Sequence, residues 1–398
     1  MLRYLLAIAF VVLFSSNVQA DPVVIEGNQS TTIATCGKGW LEEINGYRVL
    51  HLKGTPYEMG FQHGTLLRKA VRANFDYLIN QKGQTALVEW KGVKITPAMM
   101  IRIIIGIQRS HVPEKYFEEL KGLAAGSGLP IESVESGNFI PELFHCSGFA
   151  VMNSATTDGT LYHGRVLDYA VDWKLQEHAV LIVAEPDGGI PFVNVSYAGF
   201  IGSVTGMNAN HVSIGEMGGG GFGRWAGVPM SFLVREVLES ANNLEEAINV
   251  FRNNKRTCEY YYVLADGKTN EAVGMEASWD VIQLVQPGTS HELLPTAVKD
   301  CALLSAGDRY HELVRRTQAG HGKIDVPTAL SMMDPGVAMK SNLHNVLFAP
   351  KSTKLWVANA SADRKPAAVQ PYYHFQLSEL LQRSPQKVSP ESTRVSAK

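Results

Sequence analysis

The stretch FHCSGFAVMNSATTDGTLYHGRVLDY, residues 144–169, reads as a hairpin with chemistry at its open end. Cys146 heads a small and apolar run, SGFAVMNSA, that has the character of a strand. Asp158-Gly159 is a tight-turn signal, and LYHGRVLDY is the returning strand. The return brings a charged pair, Arg165 and Asp168, back toward the cysteine. A two-residue turn at Asp158-Gly159 would set Phe149 opposite Asp168, and Phe149 faces away from Cys146. Asp168 therefore reaches the cysteine only if the turn is longer or a bulge shifts the register. Arg165 and Asp168 share a face only if the second strand is bulged or ends between them.

A thiolate is a strong nucleophile, but it needs a base or a cationic neighbour to ionise at neutral pH. His145 precedes Cys146, and adjacent residues of a strand point to opposite faces. A guanidinium stabilises a thiolate, and a carboxylate orients an ammonium group. Arg165 and Asp168 therefore suit a cysteine whose own α-amine, with a pKa of ~7.7–8.0, is the general base. Such a cysteine must first lose the peptide bond before it.

Upstream, GTPYEMGFQHGTLLRKAVRANFDYLI predicts a helix, with Thr55 as N-cap, Pro56 at the first position and Glu58 closing a capping box. Met59, Leu67, Val71, Phe75 and Leu78 form its apolar stripe. A second helix runs through PEKYFEELKGLAAG and ends at Gly126, so residues 21–145 are expected to be largely helical. Downstream, hairpin signals recur around Asp266-Gly267 and around KST, residues 351–353. Between them MSFLVREVLESA, LEEAINVFRN (capped by Asn243), DRYHELVRRTQ and VPTALSMM read as helices. The fold class is α+β, with antiparallel sheets covered by helices. GEMGGGGFGRW, residues 215–225, lacks the GK[ST] ending of a phosphate loop; it is either a mobile loop beside a site or a plain connection.

Composition narrows the function. The chain has 398 residues, 45% hydrophobic, which is ample for a sizeable core. Lys and Arg number 36 against 38 Asp and Glu, so nothing points to nucleic acid. Residues 1–20, MLRYLLAIAFVVLFSSNVQA, read as a secretory signal peptide, and no other stretch is apolar enough for a membrane span. A secreted or periplasmic location is expected. With Cys146 kept free, at most one disulfide forms among Cys36, Cys258 and Cys301, and three pairings are open. No His/Cys group has zinc spacing, so neither a metal nor a cofactor is expected. The polar tail, residues 384–398, is expected to be disordered.

GTPYEMGFQHG, the cysteine hairpin, GMNANHVSIGE and LHNVLFAPKSTKLWVANA occur in the order found in a known group. The chain resembles the choloylglycine hydrolase and penicillin acyltransferase branch of the N-terminal nucleophile superfamily, and most closely its autoproteolytic acyltransferases. The resemblance implies a four-layer αββα sandwich, with residues 146–383 as catalytic core. It implies a precursor cut between His145 and Cys146 into fragments that stay associated. Cys146 would be the nucleophile, positioned and tuned by Arg165 and Asp168. Arg309, in SAGDRY, stands where relatives carry a late supporting arginine. The substrate would be a small N-acyl amide or acyl thioester, attacked at its carbonyl. Two departures concern the oxyanion hole. Gly215-Glu216-Met217 stands where relatives often have an asparagine, and PTAVKDCALLSAG lacks their Thr-Asn pair. Asn208 is the substitute donor considered. The rival from another class is an exported binding protein that kept the sandwich without activity. A papain-like peptidase would instead need a histidine base.

Overall fold

The computed structural model describes residues 22–26, 29–90, 93–140 and 146–386. The signal-peptide reading at 1–20, His145 at the expected cleavage point, and all but the first residues of the tail 384–398 lie outside the described residues.

Two large sheets lie face to face. One has seven strands, in the order Val24–Ile25, Tyr372–Gln376, Lys354–Asn359, His344–Ala349, Gly159–Leu167, Cys146–Asn153, Cys301–Leu304. The other has ten and runs from Ile282–Val285 through Glu271–Ser278, Glu259–Asp266 and Val212–Gly218 to Ser30–Cys36 at its far edge. Between the sheets, Val183 and Val193 pack on Val346, Leu355 and Val357. Outside the seven-stranded sheet, Phe149, Val151 and Val166 pack on Leu313 and Val314 of the helix Gly307–Gly320. Outside the ten-stranded sheet, Leu50 and Ile214 pack with Leu120, Leu123, Val234 and Leu238 from helices Glu114–Ser127 and Met230–Ser240. The result is the αββα sandwich expected. Its middle strands are buried on both faces, which is why Cys146–Asn153 is apolar almost throughout rather than alternating.

The expectation for residues 21–145 needs correction. Ser30–Cys36, Gly39–Ile44 and Tyr47–Gly54 are strands that extend the ten-stranded sheet, the last pairing in parallel with Ala179–Pro186. Val24–Ile25 joins the other sheet beside Tyr372–Gln376. The signal was present in Asn45-Gly46, whose backbone takes φ of 50° and 89° as a tight hairpin requires. Helices begin only afterwards, with Pro56–Leu66. Its capping box is formed: Thr55 Oγ1 accepts from the Glu58 N–H, and the Thr55 N–H donates to Glu58 Oε2. Both fragments of a chain cut before Cys146 would thus share the same two sheets.

The second expected helix does not stop at Gly126. It continues to Ser127 and is capped by Gly128 at φ 71°. Gly126 serves a different purpose, since Gly60 and Gly64 cross Gly122 and Gly126 with the two helix backbones in contact. A Cβ on Gly122 would run into the Tyr57 carbonyl, and one on Gly60 into that of Glu119. Neither obstacle can move without moving a helix. Gly122→Val is expected to cost about 3 kcal/mol or more, read as a fall in the urea midpoint. An unchanged midpoint would refute the close crossing. Among the described residues no helix is long and apolar enough to cross a membrane.

Candidate active site

The hairpin's register meets both conditions set by the sequence. Cys146 faces Leu167 and Gly148 faces Arg165, while near the turn Asn153 faces Gly159. The pairing slips between Val151 and Asn153, and the turn is longer than two residues. Directly opposed residues share a face, so Cys146, Gly148 and Arg165 all point between the sheets. The return strand ends at Leu167, which frees Asp168 from the alternation. Asp168 turns back over the head of the first strand, and its backbone N–H hydrogen-bonds the Cys146 thiol.

Three groups then converge. The Asp168 carboxylate pairs with Arg309 through Oδ2 and accepts the Met339 N–H at 2.9 Å through Oδ1. Arg309 also donates to the Cys146 carbonyl at 3.2 Å. It comes from the first turn of helix Gly307–Gly320, which brings it onto a strand 163 residues earlier in sequence. Arg165 is wholly buried, with Nη2 3.4 Å from Glu216 Oε2. Its stem lies close to Gly215, where a Cβ would sit 3.1 Å from the Arg165 stem and from His163 Nε2, so both would have to give by a few tenths of an ångström.

Burial dominates the electrostatics. It pushes the Cys146 thiol up to about 11; Arg165 pulls the other way, and the Glu216 and Asp168 charges add to the rise. Burial likewise lifts Asp168 to about 6 against the pull of the Met339 N–H and Arg309. Cys146 is therefore a neutral thiol at pH 7.

The thiol opens onto a cleft of about 360 Å³ between the sheets, lined by Met217, Tyr261, Leu294, Leu304 and Arg309 among others. Gly218 and Gly219 line it too, so the glycine-rich segment is a wall of the site rather than a plain connection. His291 is also on the wall, its Nδ1 accepting the Leu293 N–H, with no hydrogen bond to Cys146. His163 and His344 are buried in the core, bonded to Ser213 and to Tyr197 and Thr205. Burial holds His163 down to about 3, so it stays neutral.

Asn208 is not part of this arrangement. Its amide donates to the carbonyls of Leu238 and Ala241 at the end of helix Met230–Ser240, and its Oδ1 accepts from the Asn210 and Val212 N–H groups. All of its bonding capacity ties a turn to a helix end. Sequence reasoning noted Glu216 only as a departure from the relatives. The structure makes it the partner of Arg165, and its signal was an acid inside the buried strand Val212–Gly218. Asp168's second partner, the Met339 backbone, carries no side-chain signal at all. All four cysteines are unpaired thiols.

The sequence model of the acyl-coenzyme A:6-aminopenicillanic acid acyl-transferase family matches residues 154–288, which include Arg165, Asp168 and Glu216. Protein dcd1A of Dictyostelium discoideum is 29% identical over 276 residues, 62% of each chain. The N-acylethanolamine-hydrolyzing acid amidase of Caenorhabditis elegans is 27% identical over 190 residues, 40% of this chain and 51% of that one. A solved ortholog of that amidase from the same organism aligns with a TM-score of 0.43 and 17% identity, over 52% of this chain and 93% of the other. The chain matches about half to three-fifths of the length of its first curated relatives.

Proposed function

We propose that the chain is an N-terminal nucleophile hydrolase of the acyl-coenzyme A:6-aminopenicillanic acid acyltransferase group, acting as an exported, self-processing amidase. Its substrates are N-acyl compounds with an apolar acyl part, which suits the aliphatic lining of the cleft. One observation carries the reading: the Asp168 N–H, the Asp168–Arg309 pair and the cleft all meet at Cys146.

The proposed chemistry has two stages. First the Cys146 thiol attacks the carbonyl of the preceding peptide bond. The acyl group moves from nitrogen to sulfur as the thiol proton passes to the departing nitrogen, and water then hydrolyses the thioester. This frees the Cys146 α-amine, which is the base that the uncut chain lacks. In turnover the amine takes the thiol proton as sulfur attacks the substrate carbonyl, and returns it to the departing amine. Water, taken up by the same base, releases the acid. An amine acceptor in place of water would make the same site an acyltransferase; outside the cell, water is the default. Asp168 holds the new ammonium, and Arg309 fixes Asp168 and the strand head together.

The test combines intact mass and N-terminal sequencing with a screen of N-acyl amides for released amine. The expected result is two fragments, one beginning Cys-Ser-Gly-Phe, and amine release. A single uncut chain that releases no amine would overturn the reading. Asp168→Asn keeps the shape but loses the charge that pairs Arg309. It is expected to lower kcat/KM about 100-fold, the cost of a misplaced nucleophile. Activity within a factor of about two of wild type would remove Asp168 from the mechanism.

A further inference from the structure

One carboxylate of the cleft, Glu276, is not used by this chemistry. Met217, Tyr261 and Glu276 are successive partners across three neighbouring strands, and all three line the cleft. The row starts beside the nucleophile strand, because a Cβ on Gly148 would strike the Met217 sulfur. With strands about 4.8 Å apart, two steps place Glu276 roughly 10 Å across the sheet from Met217. Its neighbours in the cleft are Val285, Leu293 and Leu294. Glu276 is half-buried and has neither a hydrogen-bond nor an ion-pair partner among the described residues. The Tyr261 hydroxyl is already given to Glu259 at 2.7 Å. Burial and the Glu259 charge hold the Glu276 carboxyl above its usual range, with His291 pulling weakly the other way. The other charged group on the wall, Arg309, is occupied by Asp168.

We propose that Glu276 is a specificity residue that selects substrates carrying a cationic nitrogen at the far end of the Met217–Tyr261–Glu276 row from the scissile carbonyl, about 10 Å along that row. This rests on the amidase reading and names its substrate class. A carboxylate set in an apolar wall is poorly solvated and lacks a counter-charge, and an ammonium on the substrate supplies both the charge and the hydrogen bond. An apolar chain of about six methylenes spans the distance and covers the aliphatic lining on the way.

The test uses two matched pairs. One pair is the hexanoyl amides of 1,6-diaminohexane and of 6-amino-1-hexanol. The other is the hexylamides of 6-aminohexanoic and 6-hydroxyhexanoic acid. Each pair differs only in an ammonium against a hydroxyl. Binding is measured by calorimetry to the uncut Cys146→Ala chain, with and without Glu276→Gln. The expected result is that one cationic compound binds at least about 10-fold more tightly than its hydroxyl partner, and that Glu276→Gln removes the difference. Glu276→Lys, which keeps a charge at the rim, should reverse it. Equal binding within both pairs, or a preference that survives Glu276→Gln, overturns the proposal. Turnover of the hydroxyl compounds by the wild-type protein is read separately. Its absence counts against the amidase reading, whatever the binding ratios are.

Discussion

Cys146→Ala is expected to leave the chain whole and to lower amide turnover about 10⁶-fold, the scale seen when a nucleophile is removed from a covalent mechanism. On the proposed mechanism the variant loses the sulfur that forms the thioester, and it also loses the base, because that base would exist only after cleavage. The two losses are therefore coupled: one substitution removes both self-processing and turnover. The fold should survive. Cys146 is a small buried residue at the end of a strand whose other side chains hold the sheet, so its truncation should cost about 1 kcal/mol. Intact mass, a urea titration and amine release on the same preparation check the three parts. A variant that is still cut before residue 146, or that keeps more than about a thousandth of the activity, would exclude Cys146 as the nucleophile.

Arg235→Met is expected to have the largest effect on stability. Arg235 is buried in helix Met230–Ser240 and reaches Glu119 at 3.0 Å, Glu239 at 2.7 Å and the Ile201 carbonyl at 2.6 Å. Glu119 lies in helix Glu114–Ser127, before Cys146, so the pair joins what would become the two fragments. Methionine keeps the bulk but leaves the buried Glu119 without its hydrogen-bonded cation, while Glu239 keeps Lys115 at 2.7 Å. Breaking a buried pair in this way costs about 3–5 kcal/mol. The urea midpoint should fall accordingly, and the fragments of the processed protein should separate on size exclusion at denaturant concentrations that leave wild type intact. A loss below about 1 kcal/mol would mean that the pair behaves as a surface bridge.

The same cluster has a pH signature. Burial, with a contribution from Glu239, lifts Glu119 to about 7 against the pull of Arg235. Its folded value lies above its unfolded one, about 4.3. The folded state then holds the proton more tightly, and the stability this group contributes is full below about pH 4 and is lost as pH rises toward 7. Comparing wild type with Glu119→Gln isolates the slope, since the variant has no proton to lose at that position.

Much of the site was legible because its signals are local. A capping box, an Asn cap and a turn dipeptide each specify the backbone over a few residues, and Thr55, Glu58 and Asn243 do what their spacing says. Chemical identity is local too, so Cys146, Arg165 and Asp168 could be picked out from one hairpin. Asn208 misled because an asparagine after a strand can cap a turn as readily as it can donate to a substrate. Only the carbonyls of Leu238 and Ala241, from a helix further along the chain, decide between the two. Gly126 misled in the same way: a glycine near a helix end looks like a cap until another backbone is found against it.

The sequence alone determined the layered fold class and the hairpin that carries Cys146, because turn preference and strand character depend on neighbours along the chain. Tertiary structure decided the rest. It set the register that turns Arg165 inward and the strand end that lets Asp168 bend back. It brought Arg309 and the Met339 N–H onto Asp168 from remote segments. It also placed residues 30–54 in the same sheet as the downstream core and left Glu276 in the cleft without a counter-charge. Contacts of this kind depend on where distant strands meet, which is a property of the packed sandwich rather than of any one stretch of chain.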